Sequence, residues 1–198
     1  MEIISYVMGP FETNTYFLKE GNEVLIIDPA GKTDKVIELL NEEKPLAVIL
    51  THGHFDHIKA VDGLYKRYGM PVYIHEDDLV LARDKNQGEM YNMYNHISCP
   101  VEYLKEGKMN IGPFTFEVIF TPGHTEGSVL YKFNDVIFTG DTLFKGSVGR
   151  TDLKGGNESK LMASLRVFNE MDKKTIIYPG HGDSSNLYEE YINNPFLH

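Results

Sequence analysis

Tryptophan is absent from this 198-residue sequence, and cysteine occurs once, as Cys99. A lone cysteine excludes an intramolecular disulfide and a thiolate cage for zinc. With no motif around it, Cys99 reads as a small packing residue rather than a nucleophile. Basic residues are in short supply: 19 Lys and Arg stand against 29 Asp and Glu, a formal charge of -10. A general nucleic-acid binder would show a basic footprint, so no nucleic-acid partner is expected. The acidic balance does not exclude a small anionic substrate, because bound metal ions would bring positive charge that this count omits. No apolar stretch approaches the ~20 residues of a spanning helix. Met1-Glu2-Ile3-Ile4-Ser5 lacks the basic start and apolar core of a signal peptide. A cytoplasmic protein with no membrane partner is the resulting expectation. Linker-like and low-complexity tracts are missing too, so one mixed α/β domain over residues 1–198 is the economical organisation.

What is present is concentrated in Thr51-His52-Gly53-His54-Phe55-Asp56-His57. Imidazole and carboxylate suit zinc, iron and manganese, whereas calcium takes mostly oxygen. No packing requirement asks for such a cluster, since a buried histidine costs desolvation and needs a partner.

The hydrophobic pattern predicts strands at Ile3–Val7, Thr15–Lys19, Val24–Ile27, Leu46–Leu50 and Val72–Ile74. Further strands are expected at Phe114–Phe120, Val129–Phe133, Val136–Thr139 and Thr175–Tyr178. Helices are expected over Thr33–Glu42, with Val36, Ile37 and Leu40 on one face, and over Ala60–Tyr68, stopped by Gly69 and Pro71. A third helix should align Leu161, Leu165 and Phe168. Asp84–Cys99 is the least regular stretch: either a helical turn laying Met90, Tyr91, Met93 and Tyr94 on the core, or a mobile lid.

Four of these strand-like runs end in a ligand-type residue, with small or turn-forming residues just before it. They lead into His52, His124, Asp141 and His181. Functional groups of sheet-based folds commonly sit past the carboxyl ends of strands, so these runs can deliver distant positions to one point. Asp28, at another strand end before Pro29, is either a partner that orients a ligand histidine or a turn residue. His75 reads as a helix-entry residue, and neither His96 nor His198 carries a metal-site pattern.

The His-x-His-x-Asp-His motif followed by His124, Asp141 and His181 resembles the metallo-β-lactamase superfamily, in order from Val24–Pro29 to Pro179–Gly182. The resemblance implies an α/β fold: a four-layer αβ/βα sandwich of two mixed sheets with outer helices. It implies that His52, His54 and His124 hold one metal, that Asp56, His57 and His181 hold a second, and that Asp141 bridges them. Two Zn(2+) per chain are the expected cofactors, with Fe(2+) or a mixed Fe/Zn/Mn site as the alternative. Two cations about 3.5–4 Å apart can share a hydroxide and polarise a carbonyl, which suits ester hydrolysis. Asp56 and Asp141 would orient that hydroxide and are the catalytic candidates. No Gly-x-Ser-x-Gly elbow competes with this chemistry.

Gly140–Phe144, Gly149-Arg150-Thr151-Asp152 and Gly9–Asn14 are similar to the short glyoxalase II-like proteins, which implies a small-molecule thioester such as an S-(hydroxyacyl)glutathione as substrate. Arg150 falls where that branch carries a basic residue facing the thiol's carboxylate; a surface ion pair with Asp152 is the equal alternative. Glyoxalase II proper adds a helical C-terminal domain, whereas this sequence stops soon after His181. Persulfide dioxygenases share Gly-Arg-Thr-Asp and would use a single iron on His52, His124 and Asp141. A lactonase, a β-lactamase or another hydrolase of the metallo-β-lactamase type, and a non-catalytic metal-binding module, are further alternatives, and the oligomeric state stays open.

Overall fold

β-Branched and aromatic residues build the first sheet, in which every strand is followed in the sheet by the next in sequence. Its strands are β1 (Glu2–Met8), β2 (Thr13–Glu20), β3 (Glu23–Ile27), β4 (Lys44–Ile49), β5 (Val72–Ile74) and β6 (Glu102–Tyr103). Hairpins make β1, β2 and β3 antiparallel. From β3 onward the pairs are parallel and need crossovers, supplied by helices α1 (Thr33–Leu40) and α2 (Val61–Tyr68). The β5–β6 connection carries a 3₁₀ turn at Glu76–Asp78, the short helix α3 (Leu79–Ala82) and a second 3₁₀ turn at Glu89–Tyr91. The computed structural model describes residues 1–197; His198 lies outside the described residues.

The second sheet contains β7 (Gly107–Ile111), β8 (Phe114–Phe120), β9 (Val129–Phe133) and β10 (Val136–Gly140). A small hairpin, β11 (Leu143–Phe144) and β12 (Ser147–Val148), precedes helix α4 (Glu158–Ser164). Strands β13 (Ile176–Pro179) and β14 (Ser185–Asn186) complete the sheet in the order β14-β13-β10-β9-β8-β7, and helix α5 (Leu187–Asn193) follows. Only the β10–β13 pair is parallel, so this sheet too is mixed.

Strand alternation decides the layering. Tyr16, Leu18, Leu25, Ile27 and Ile49 face Phe114, Phe116, Val118, Tyr131 and Phe138 in a core between the two sheets. On the outer face of the first sheet, Phe17, Ile26 and Val48 pack on Val36 and Leu40 of α1 and on Val61 and Leu64 of α2. Leu130, Ile137 and Ile177 cover the outside of the second sheet with Leu165, Phe168 and Leu187. The α/β expectation of two mixed sheets with outer helices is what the structure shows.

Gly69 caps α2 at φ +65°, its N–H donating to the Tyr65 carbonyl, as the stop signal required. The helix expected across Leu161–Phe168 is instead α4 followed by a 3₁₀ segment, Leu165–Glu170, which still buries Leu161, Leu165 and Phe168. The core-covering turn expected within Asp84–Cys99 needs correction. One 3₁₀ turn forms, but Met90 is 75% and Tyr94 53% exposed. Cys99 is buried, and burial, with Asp62 beside it, pushes its thiol up to about 12, so it is an inert packing residue. Among the described residues, no helix is long and apolar enough to cross a membrane.

Candidate metal centre

The carboxyl ends of β4, β8, β10 and β13 meet at one edge of the two sheets. Backbone hydrogen bonds tie these ends together: Val129 N–H donates to Thr51 O at 2.9 Å, Asn14 N–H to Gly180 O at 2.7 Å and Gly180 N–H to Gly140 O at 2.8 Å. His52, His54 and His124 bring their ligand atoms within 4.8 Å of one another, and so do Asp56, His57 and His181. Asp141 lies between the trios. Its Oδ2 is 3.5 Å from both His124 Nε2 and His181 Nε2, and its Oδ1 is 3.4 Å from His57 Nε2. Gly140 makes the turn into Asp141 at φ +47°, where a side chain would be strained. Gly180 allows close approach, because a Cβ there would collide with Asp141 Oδ1.

Hydrogen bonds behind the rings fix which nitrogen faces inward. His57 Nδ1–H donates to Asp28 Oδ2 at 2.9 Å, His124 Nδ1–H to Arg150 O at 2.7 Å, and His181 Nδ1–H to Phe11 O at 2.9 Å. Thr51 Oγ1 donates to Asp28 Oδ2 at 2.5 Å and accepts from His52 Nδ1–H at 3.0 Å. In these four rings Nε2 is the nitrogen that faces the cluster. His54 is turned the other way, its Nδ1 2.9 Å from His124 Nε2. Two buried atoms of the cluster, His52 Nε2 and Asp141 Oδ1, have no hydrogen-bond partner among the described residues. Converging lone pairs and orphaned acceptors are costly unless a cation lies among them, so the donor set fits divalent ions that accept N and O ligands. Asp28 also lies within ligand distance of His52 and His57, but its oxygens are engaged by Thr51 N–H at 2.8 Å, Thr51 Oγ1 and His57. Its place is behind the ligands.

The protonation pattern tells the same story. Burial lowers the His57 pKa, but Asp56, Asp141 and Asp28 outweigh it and hold the ring up to about 9. Burial likewise opposes, and hydrogen bonds to Asp141 and Asp56 reverse, the shift of His181 to about 11. His52 and His54 are pushed down by burial and by neighbouring imidazoles. Burial alone would raise Asp56 and Asp141, but His57 and His181 keep both below the usual carboxylate range. Protons on His57 and His181 therefore stand in for cation charge. The folded-state values of both histidines lie above the ordinary 6.5, so their stabilisation is complete below pH 6.5 and is lost as pH rises through about 9 and 11. The depressed carboxylates act oppositely, stabilising above 3.8 and losing that as the pH falls further. Chelated protein is therefore expected to melt at its highest temperature between these limits and to weaken toward alkaline pH, whereas metal-loaded protein holds its melting temperature there. A chelated protein whose melting temperature stays level up to pH 10 would refute this.

A family model described as the metallo-beta-lactamase superfamily matches residues 8–181. The chain belongs to the metallo-β-lactamase superfamily. It is 39% identical to the probable metallo-hydrolase YqgX of Bacillus subtilis (strain 168), over 96% of this chain and 94% of that one. It is 32% identical to the hydroxyacylglutathione hydrolase GloC of Haemophilus influenzae (strain ATCC 51907 / DSM 11121 / KW20 / Rd), over 87% and 86% of the two chains. The crystal structure of BLEG-1 B3 metallo-beta-lactamase superposes with a TM-score of 0.92 at 36% identity, over 99% of each chain. TTHA1623 in a di-iron-bound form follows at 0.90 and 36%, over 98% of this chain and 100% of that one. ETHE1 from Myxococcus xanthus superposes at 0.80 and 29%, over 98% and 84%. As a member of this superfamily the protein is a metallo-hydrolase with a divalent-metal site.

Around this superfamily site the rim residues divide. Arg150 forks onto Asp152, with Nε and a terminal nitrogen each 2.7 Å from a carboxylate oxygen, which is the ion-pair alternative. Its backbone carbonyl, not its side chain, touches the cluster through His124. Tyr91, 40% exposed, packs edge-on to Phe11 at 4.9 Å and stacks at 5.9 Å over Phe55, the aromatic residue inside the histidine motif. Asp84–Cys99 thus places an aromatic wall beside the metal centre. His75 does what a helix-entry residue does: its Nδ1 accepts from Asp77 N–H at 3.1 Å. His96 is held by Tyr94 O through Nδ1–H, away from the cluster.

Several contributors were invisible to sequence reasoning. Thr13 Oγ1 donates to Asp56 Oδ2 at 2.9 Å. Thr51 relays Asp28 to His52. Asn14 and Asp78 tie loops to one another behind the ligands. Thr13 and Asn14 fall within the Gly9–Asn14 motif and Thr51 opens the histidine motif, although no role could be read for them; Asp78 looked like one more acidic residue of a helix entry.

Proposed function

We propose that the protein is a glyoxalase II-like thioesterase, hydrolysing an S-(hydroxyacyl)glutathione or a related small-molecule thiol ester to a hydroxy acid and a free thiol. The observation that carries the reading is Asp141, whose two oxygens face imidazoles of both trios and so suit a bridge between two ions. His52, His54 and His124 would hold one, and Asp56, His57 and His181 the other. When bound, such ions supply a Lewis acid for the carbonyl oxygen and acidify a water to a pKa of about 7. Asp56 Oδ2, which faces His57 and His181, also accepts from Thr13 Oγ1–H, and this fixes the carboxylate where it could orient an attacking water. Phe11, Phe55 and Tyr91 would line the thiol side of the cleft and exclude water. Support for a thioester, rather than another acyl compound, comes from the likeness to the Haemophilus hydroxyacylglutathione hydrolase and from the Gly140–Phe144 and Gly149–Asp152 segments.

The likeness to ETHE1 fits a second reading, a persulfide dioxygenase with a single iron on His52, His124 and Asp141. Metal analysis of freshly purified protein, combined with thioester hydrolysis with and without chelator, separates the two. Two zinc equivalents and chelator-sensitive release of thiol are the expected result. One iron, oxygen uptake with glutathione persulfide and no thioester hydrolysis would replace the first reading by the second.

A further inference from the structure

We propose that the two halves of the metal centre are set independently by two buried clamps that cross between the sheets: Asp78 for His52, His54 and His124, and Asn14 for Asp56, His57 and His181. The inference rests on the metal-site reading but not on any substrate.

Asp78 follows β5 in the first sheet and is buried, yet among the described residues it forms no ion pair. Its Oδ2 accepts from Gly53 N–H at 2.7 Å and from Thr125 Oγ1–H at 2.8 Å, and its Oδ1 accepts from Gly127 N–H at 2.7 Å. Gly53 separates His52 from His54 on the loop after β4; Thr125 follows His124 on the loop after β8. One carboxylate therefore fastens a first-sheet loop to a second-sheet loop at the point where His54 Nδ1 and His124 Nε2 come within 2.9 Å. Both glycines are pressed against this residue: an added Cβ would lie 2.8 Å from Asp78 O at Gly53 and 2.8 Å from Asp78 Cβ at Gly127. A buried carboxylate accepting three hydrogen bonds is costly to disturb, because the Gly53 and Gly127 N–H groups would be left without their acceptor.

Asn14 does the corresponding work at the other trio. It opens β2 of the first sheet beside Thr13, which holds Asp56, and it too is buried. Its Nδ2 donates to Pro179 O at 3.0 Å and to Gly182 O at 2.9 Å, bracketing His181, while its backbone N–H donates to Gly180 O at 2.7 Å. A bridge between Thr13 and His181 adds to the same seam. The two clamps share no partner, so their effects on metal binding should not couple.

The test uses zinc alone, titrated against a chelating indicator, in two backgrounds. His181→Ala leaves the first trio complete, and His54→Ala leaves the second. Asp78→Asn puts an amide nitrogen against a backbone N–H. It is expected to weaken zinc about ten- to a hundredfold in the His181→Ala background and by less than about threefold in the other. Asn14→Ala is expected to show the reverse pattern. Thr125→Val and Asn14→Ser are the milder forms if either variant fails to fold. Asp62→Asn is the control, since Asp62 caps Ser98 and Cys99 in the same way without facing the cluster. Equal losses in both backgrounds, or none in either, would overturn the proposal. Zinc bound by the wild type but by neither background would also overturn it, because the halves would not be separable. A wild type that binds no zinc or iron would instead remove the metal-site reading on which it stands.

Discussion

Asp141→Ala is expected to lower hydrolysis by about a thousandfold or more, which corresponds to about 4 kcal/mol of lost transition-state stabilisation. It is also expected to reduce bound metal from two ions to one or none. The carboxylate is the group that both trios share, and its Oδ1 is buried without a hydrogen-bond partner among the described residues. Removing it leaves His124 without the carboxylate it shares with His57 and His181, and leaves Asp56, beside only the latter two, as the remaining anion. On the two-ion reading, two nearby cations would then repel across the gap without the carboxylate shared between them. Asp141→Asn keeps the shape and loses the charge, so it separates packing from electrostatics and should lose nearly as much. Metal content by elemental analysis, alongside turnover of whichever thioester the wild type accepts, makes the comparison. Two bound ions and activity within about tenfold of wild type in the Asn variant would remove Asp141 from its bridging place.

The candidate ligands were legible in the sequence because metal chemistry restricts residue type, and strand ends restrict where such residues can converge. His52, His124, Asp141 and His181 each follow an apolar run, and the structure gathers all four at the ends of β4, β8, β10 and β13. The two-sheet core was equally legible, since Phe114, Phe116 and Val118 alternate and all three turn inward. What stayed hidden depends on contacts between residues far apart in the chain. Asp78 and Gly127 are 49 positions apart, and Asn14 and Gly182 are 168. No local pattern distinguishes a carboxylate that holds two loops from one that faces solvent. Tyr91 was hidden for a different reason: its apolar neighbours suggested core packing, whereas the aromatic partners that hold it lie on the β1–β2 loop and in the histidine motif. Arg150 pointed to a substrate carboxylate by position, and the nearer Asp152 takes its guanidinium in this state.

On the two-ion reading, Asp28→Asn is expected to cost the ion at His57 while leaving the fold intact, and the reason lies in which nitrogen of His57 carries a proton. Asp28 sits at φ +49°, a conformation that Asn tolerates as well as Asp, so the backbone is not at issue. Its Oδ1 must accept from Thr51 N–H, which fixes the amide oxygen of the variant at that position. The amide nitrogen then replaces Oδ2 and presents hydrogens to Thr51 Oγ1 and His57 Nδ1. His57 Nδ1 has to become an acceptor, which moves the ring proton to Nε2, the atom that faces Asp56, Asp141 and His181. A protonated Nε2 cannot bind a metal. Loss of such an orienting partner typically costs ten- to a hundredfold in affinity, and a flipped tautomer should reach the upper end of about a hundredfold. Asp28→Ala is the harsher change: it leaves three buried donors without an acceptor and strains the turn, for about 3–6 kcal/mol of lost stability. Histidine NMR of the two variants reads the tautomer directly, and zinc titration reads the site. If Asp28→Asn keeps His57 protonated at Nδ1 and retains both ions at wild-type affinity, the carboxylate is no more than a turn residue before Pro29.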